Sequence, residues 1–344
     1  MKILHVLASD KFSGAENVVC QIINMFKDES TFEMAYCSPN GDIKFALEER
    51  NVVFLPINKL NLKELKRAVD EYKPDLIHAH DMRASFMASI LSNRIPFISH
   101  IHGNFSDLNK ISIKSLMYSY AAKRAKHVFW VSKSSYDEYV FKDKVQDKST
   151  VLRNVINIDA LYQKMSLDTN EYDYDIVYLG RLTYPKNPER LIRVLKMVVE
   201  KKKDVKIAII GSGDLEEKTK SLAKELEIDK NIDFLGFVSN PLKIVHDSKV
   251  MVMTSRREGT PICALESLAL GTPIVSTPTD GMRELIEDGK AGYLSNDDIV
   301  LKEKIYEIVN NEAKGNFLSL NAVERSKKLN NIEMYAQNII CAYK

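Results

Sequence analysis

Short apolar runs separated by longer stretches of helical periodicity recur from the first residues almost to the last, and this rhythm leaves few folds open. Apolar runs without polar alternation suit strands covered on both faces, and amphipathic crossovers between them make parallel βαβ units. In the first half, strands are expected at residues 2–8, 32–37, 52–56, 75–80, 96–102 and 127–131, with helices such as 62–71 and 112–125 between them. The polar string DTNEYDYD at 168–175 breaks the pattern, and the domain boundary is expected there. Strands resume at 176–180, 205–210, 232–235, 249–253 and 273–276. A helix at 188–203 carries Leu191, Leu195 and Val198 on one face, and the chain beyond 298 reads as helical. The expected fold class is α/β, with two Rossmann-like, doubly wound domains at 1–167 and 168–325. A C-terminal helix in 326–344 is expected to pack back on the first domain.

Composition narrows the function. A chain of 344 residues with 45% hydrophobic and 28% charged residues is an ordinary globular protein with room for two cores. Lys and Arg total 49 against 47 Asp and Glu, and the net charge of +2 excludes general nucleic-acid binding by phosphate neutralisation. Cys20, Cys37, Cys263 and Cys341 form no C-x-x-C pair, so free thiols and a reducing, cytoplasmic location are expected. No leader is read at the N-terminus. No apolar run approaches the ~18 residues of a spanning helix, so any membrane contact is expected from the surface, on the inner face of the plasma membrane.

In open parallel sheets, ligands bind beyond the carboxyl ends of the strands, where helix N-termini point inward. The glycine-rich and polar loops fall at such ends, and two sheets facing each other would share one interdomain cleft. The segment RREGTPICALESL at 256–268 is the most informative. Pro261 suits a first helical turn, placing Glu258 and Gly259 in the loop before it and Glu266 on the helix. Two carboxylates could then grip two parts of one ligand, with N–H groups of Ile262, Cys263 and Ala264 offered to an anion. Two solvated glutamates flanking a helix start are the plainer reading of that pair alone.

The same segment resembles the E-x7-E signature of the retaining GT-B glycosyltransferases of family 4, through Glu258-Gly259-Thr260-Pro261 and Glu266. Leu270-Gly271-Thr272-Pro273 and Gly281 with Glu284-Leu285-Ile286 resemble the blocks that follow it. Gly180-Arg181-Leu182 with Lys186, Pro188 and Leu191 resembles an earlier block, and Ser13-Gly14-Ala15-Glu16 the N-terminal loop. The resemblance runs in order along nearly the whole chain. It implies a GT-B fold and retaining transfer from a nucleotide sugar, with a UDP-sugar the expected donor. The implied acceptor is a glycan or lipid-linked glycan of surface polysaccharide synthesis. A sugar-nucleotide epimerase on the same fold and a non-catalytic nucleotide-sugar-binding protein remain alternatives.

The resemblance implies that Arg181 and Lys186 meet the diphosphate, whose charge grows as the anomeric bond breaks. Glu266 is implied at the ribose hydroxyls and Glu258 near the donor sugar. Gly259, Thr260, Pro261 and Ile262 are placed along the donor, and Gly14 and Gly281 where backbone must approach closely. Gly211 and Val238 are implied beside the base. Gly211-Ser212-Gly213 is not a dinucleotide fingerprint, because Glu216 replaces the third glycine.

His78, His80, His100 and His102 form two H-x-H pairs, each on one side of a strand. Four such residues could ligate a metal, but the resemblance implies no metal or other cofactor. It places His102 at the donor hexose or the acceptor, with His80 and Asn104 on the acceptor side. For His80 a structural hydrogen bond is the equal alternative. Between 109 and 133, Lys110, Lys114, Lys123, Arg124, Lys126 and Lys133 interleave with Leu116, Met117, Tyr118, Tyr120, Phe129 and Trp130, without one acidic residue. That composition suits an anionic membrane surface, and equally a packed helix with solvated lysines. Two departures from the family pattern stand out: Ser13 where glycine is common, and Pro278-Thr279-Asp280-Gly281 in place of a glycine pair.

Overall fold

The computed structural model describes residues 1–27 and 29–344. They divide into two compact units, Met1–Asn154 with Glu333–Lys344, and Val155–Ile332. The division falls at Val155 rather than at 168, so the helix Ile158–Ser166 belongs to the second unit. The acidic string after it is tied down within that unit: the Tyr172 hydroxyl donates to Asp168 (3.0 Å) and the Tyr172 N–H to Asp247 (3.3 Å). At the other end the helix Glu312–Leu329 stays with the second unit. Nearly all of the helix Ile332–Tyr343 counts with the first, where the Tyr343 hydroxyl meets His78 Nδ1 at 2.9 Å.

The first unit holds strands β1 (Lys2–Val6), β2 (Glu33–Pro39), β3 (Phe54–Ile57), β4 (Leu76–Ala79), β5 (Phe97–Ile101), β6 (His127–Trp130) and β7 (Ser149–Val151). They form one parallel sheet in the order β3-β2-β1-β4-β5-β6-β7. The second unit holds β8 (Ile176–Leu179), β9 (Ile207–Ile210), β10 (Ile232–Gly236), β11 (Val250–Met253), β12 (Ile274–Ser276) and β13 (Gly292–Leu294). Its parallel order is β10-β9-β8-β11-β12-β13. Both units are Rossmann-like, as the rhythm predicts. The strands missing from the sequence reading, β7 and β13, are three-residue edge strands, too short to carry a periodic signal.

In each sheet the strand order reverses beside the first strand, and a crevice opens at such a switch point. The first unit brings there the loops after β1 and β4, and the second those after β8 and β11. Local chemistry fixes these loops. Asp81 caps the helix Met82–Leu91 by accepting from Ala84 N (2.6 Å), and its other oxygen accepts from Ala8 N (2.9 Å), joining the two loops of the first unit.

Candidate functional site

In the second unit the chain leaves β8 through Gly180-Arg181-Leu182 and winds through a 3-10 turn, Tyr184–Lys186, into the helix Pro188–Lys201. Asn187 takes a left-handed conformation (φ 55°) between them. This aims the Lys186 ammonium at the loop after β11, where Nζ meets Glu258 Oε1 at 2.6 Å. Both side chains are largely buried. Burial alone would lower the Lys186 pKa, but the adjacent Glu258 carboxylate outweighs it and holds the ammonium above its ordinary value. The Ser255 hydroxyl donates to the same Glu258 oxygen at 2.5 Å.

The two loops are stitched together by residues that the sequence reading passed over. The Arg256 guanidinium donates to Asn187 Oδ1 at 2.8 Å and lies 4.5 Å from the centre of the exposed Tyr184 ring. Arg256 N–H donates to Pro185 O (2.8 Å), and the Thr254 hydroxyl to Asn187 O (3.1 Å). Only the run of charges around 256 could have signalled this. Arg181 is exposed and has no ion pair among the described residues, yet it is near enough to oppose the charge on Lys186. One free and one half-engaged cation therefore share the end of β8.

The helix Ile262–Ala269 starts one residue later than expected, with Pro261 extended at the N-cap (ψ 123°). Ala264 N–H is already spent on Pro261 O at 3.1 Å. The first-turn donors left by helical geometry are those of Ile262 and Cys263. Glu266 lies one turn further on, partly buried, and burial raises its pKa to about 7 against a smaller opposing effect of Lys164. Gly259, Thr260 and Pro261 form the shoulder between the two glutamates.

Two glycines are demanded by the backbone itself. Gly211 has φ +126°, and a Cβ there would lie 2.1 Å from Gly180 O; its N–H donates to Gly236 O at 2.7 Å. That bond sets the turn carrying Phe237 and Val238 beside the loop after β9. At Gly281 a Cβ would lie 1.3 Å from Gly259 O. Its bare Cα is thus filled by the Glu258–Gly259 backbone, a packing reason in place of the sugar approach expected of it. Gly14, the first residue of the helix Gly14–Met25, is the opposite case, since a Cβ there would meet nothing within 4 Å.

In the first unit the two H-x-H pairs come together with a fifth histidine, His5 on β1, that sequence reasoning missed. His5 pairs with His78 across the β1–β4 register, and alternation puts all five on the sheet face opposite Leu4, Val6, Ile77, Ala79 and Ile101. A lone histidine in an apolar strand gave no signal without that register. His5 Nδ1 lies 2.8 Å from His80 Nε2, and His80 Nδ1 lies 2.8 Å from His102 Nε2. Burial pushes His5 and His102 down to about 3 and holds His78, His80 and His100 well below the usual range, so the array is uncharged. His80 is 1% exposed with both ring nitrogens engaged. It therefore contacts His102 rather than an acceptor, which is the structural hydrogen bond weighed against that role. Asn104 donates to Ser134 Oγ at 3.0 Å, tying the loop after β5 to the short helix Lys133–Asp137 that follows β6. One nitrogen from each of His5, His78 and His80 lies within 4.8 Å of the other two, and the same holds for His80, His100 and His102. These are the metal-ligand sets that the described histidines, cysteines and carboxylates offer.

The basic segment divides. Tyr118, Phe129 and Trp130 are core residues at 1% exposure or less, whereas Ile111 (71%), Ile113 (78%) and Leu116 (53%) face outward with Met117 and Tyr120. Lys114 pairs with Asp107, Lys126 donates to Tyr343 O, and Arg124 lies over the Tyr120 ring. No helix among the described residues is long and apolar enough to cross a membrane.

Known proteins match this chain along its length. The family described as "Glycosyltransferase Family 4" matches residues 12–160, and "Glycosyl transferases group 1" matches 162–328. An uncharacterized glycosyltransferase of Methanocaldococcus jannaschii is 32% identical over 71% of this chain, and the match spans 66% of that protein's own length. The Campylobacter jejuni N-acetylgalactosamine-N,N'-diacetylbacillosaminyl-diphospho-undecaprenol 4-alpha-N-acetylgalactosaminyltransferase is 26% identical over 82% of each chain. Among solved structures, Anabaena Alr3699/HepE in complex with UDP-glucose superposes with a TM-score of 0.84 at 20% identity, covering 99% of this chain and 98% of that one.

Proposed function

Because this chain belongs to the family 4 glycosyltransferases of GT-B fold, we propose that it moves a sugar from a UDP-sugar to a glycan or lipid-linked glycan, with retention at the anomeric carbon. The observation that carries the reading is the cation pair at the end of β8, Arg181 without an ion pair among the described residues and Lys186 held by Glu258. An ammonium has three donors, so Lys186 keeps two for a diphosphate while one stays on Glu258. As the anomeric bond breaks, negative charge collects on the leaving diphosphate. Cations already in place then stabilise the transition state more than the bound donor. On this reading the reaction needs no metal ion, since Arg181 and Lys186 supply the positive charge.

The remaining contacts follow from chemistry. Glu266 accepts hydrogen bonds from the ribose hydroxyls when ionised, and the Ile262 and Cys263 N–H groups face an anion. Gly211 and Val238, with the exposed ring of Phe237, offer a shelf for the base. Glu258 positions the donor sugar through the oxygen not held by Lys186 and Ser255. In the first unit, Gly14 leaves open space for close approach, and His102, fixed by His80, meets the sugar or the acceptor hydroxyl.

The Campylobacter relative is named for a diphospho-undecaprenol-linked sugar acceptor. The outward Ile111, Ile113 and Leu116 with Lys110, Lys114, Lys123 and Arg124 suit docking on an anionic membrane surface that carries such an acceptor. Surface polysaccharide synthesis is the role proposed with that acceptor.

A thermal-shift panel with UDP, GDP and ADP tests the reading. A nucleotide at ~100 times its dissociation constant adds about 2.7 kcal/mol of stability. Stabilisation by UDP, lost in Arg181→Ala, is the expected result. No response to any nucleoside diphosphate would overturn the proposal, and a GDP-only response would overturn its donor. The anomeric proton signals of the product decide retention.

A further inference from the structure

The histidine array holds more ring nitrogens than its hydrogen bonds use. Buried without a partner are both nitrogens of His100, Nδ1 of His102, and Nε2 of His5 and of His78. Buried polar atoms are rarely left so, and here the orphans gather on one face of β1, β4 and β5. His100 is 0% exposed and stacks on His102 with ring centres 4.0 Å apart. No hydrogen-bond partner among the described residues explains an imidazole at that position.

We propose that His80, His100 and His102 form a three-imidazole site for a late first-row divalent ion, zinc foremost, with water as the fourth ligand. One nitrogen from each already lies within 4.8 Å of the other two. A tetrahedral ion with Zn–N bonds of about 2.0–2.1 Å needs ligand atoms roughly 3.3 Å apart, a modest opening of the 2.8 Å His80–His102 contact. This trio is favoured over His5, His78 and His80 because His102 is only partly buried, leaving a way in for the ion and its water. His78 Nδ1, moreover, is already engaged by the Tyr343 hydroxyl.

The tautomers fit. If His80 donates from Nε2 to His5 Nδ1, its Nδ1 lone pair points at His102, and His5 becomes the outer partner that metal-binding histidines ordinarily have. His102 moves its proton from Nε2 to the unpartnered Nδ1 and offers Nε2 to the ion. No net proton is released, and His100 contributes whichever nitrogen faces the ion. Occupancy also withdraws His102 from the sugar, making the site inhibitory; that consequence alone rests on the role proposed above for His102.

The test uses the full chain, stripped with chelator and titrated with Co(II), with Zn(II) as competitor. Expected are one ion per chain, intense d–d absorption of a four-coordinate nitrogen site, and its displacement by zinc. His100→Gln is expected to weaken binding at least about tenfold, and His5→Gln about tenfold. His246→Gln, at an exposed histidine outside the array, leaves it unchanged. Binding that survives His100→Gln, or that falls with His246→Gln, overturns the proposal, as does a pale six-coordinate spectrum. Should His100→Gln fail to fold, X-ray absorption of the unsubstituted protein with zinc decides: three imidazoles support the site, and fewer overturn it. These readouts need no turnover, so the failure of this site and the failure of the transferase reading are distinguishable.

Discussion

Glu266→Gln is expected to make the protein more stable at alkaline pH while weakening nucleotide binding. Burial raises the Glu266 pKa to about 7, whereas the unfolded chain holds an ordinary carboxylate. Between pH 4.5 and 7 the folded state therefore binds more protons than the unfolded one, and stability falls as pH rises through that window, then levels off. A tenfold change in proton affinity corresponds to about 1.4 kcal/mol, so burial disfavours the ionised folded state by roughly 3 kcal/mol at pH 8. Glutamine removes that penalty and keeps the shape. For a unit the size of Val155–Ile332, 1 kcal/mol corresponds to ~2–4 °C in Tm. Because just under 1 kcal/mol of this is already felt at pH 5, melting curves should separate the two proteins by about 5–10 °C more at pH 8 than at pH 5, the variant being higher. Ligand binding runs the other way, because the ionised carboxylate is the better acceptor for ribose hydroxyls. UDP affinity of the unsubstituted protein should rise from pH 6 to pH 8 more steeply than that of the variant, which stays weaker and keeps only the dependence due to ionisation of the UDP phosphate. Parallel melting curves for the two proteins across the range would refute the reasoning, since a solvated Glu266 has no penalty to relieve.

Lys186→Met leaves Glu258 buried without its cation and should cost up to about 3 kcal/mol. Adding Glu258→Gln should restore part of the Tm but none of the transfer, as measured by a double-mutant cycle. Gly14→Ala should leave the melting temperature nearly unchanged, because its Cβ meets nothing within 4 Å, yet raise the UDP-sugar KM. Gly281→Ala should lower Tm sharply, since its Cβ would lie 1.3 Å from Gly259 O; equal Tm losses at both glycines would refute the distinction. Ile113→Glu with Leu116→Glu should abolish cosedimentation with vesicles rich in anionic lipid and leave soluble-acceptor transfer intact. Unchanged cosedimentation would remove this face from the membrane.

What the sequence alone determined is whatever a local pattern can encode. The β–α rhythm dictated two parallel sheets, because short apolar runs joined by amphipathic helices have no other economical burial. The blocks around Arg181, Lys186, Glu258 and Glu266 carried the family resemblance from which their proposed donor-side roles come, since they lie on continuous loops and one helix. The strands β7 and β13 escaped, being edge strands of three residues. Tertiary structure decided what depends on register between distant segments. It sent Tyr118, Phe129 and Trp130 into the core while Ile111 and Ile113 faced outward. It turned Gly281 into the partner of Gly259, and joined Arg256 to Asn187 across the two loops of the second unit. His5 is the sharpest case: in the sequence it is one polar residue in an apolar strand, and only its pairing opposite His78 makes it the fifth member of a buried array. Each residue's type and helical or strand phase is written in the chain, but which strand lies beside it is fixed only when the sheet closes its hydrogen bonds.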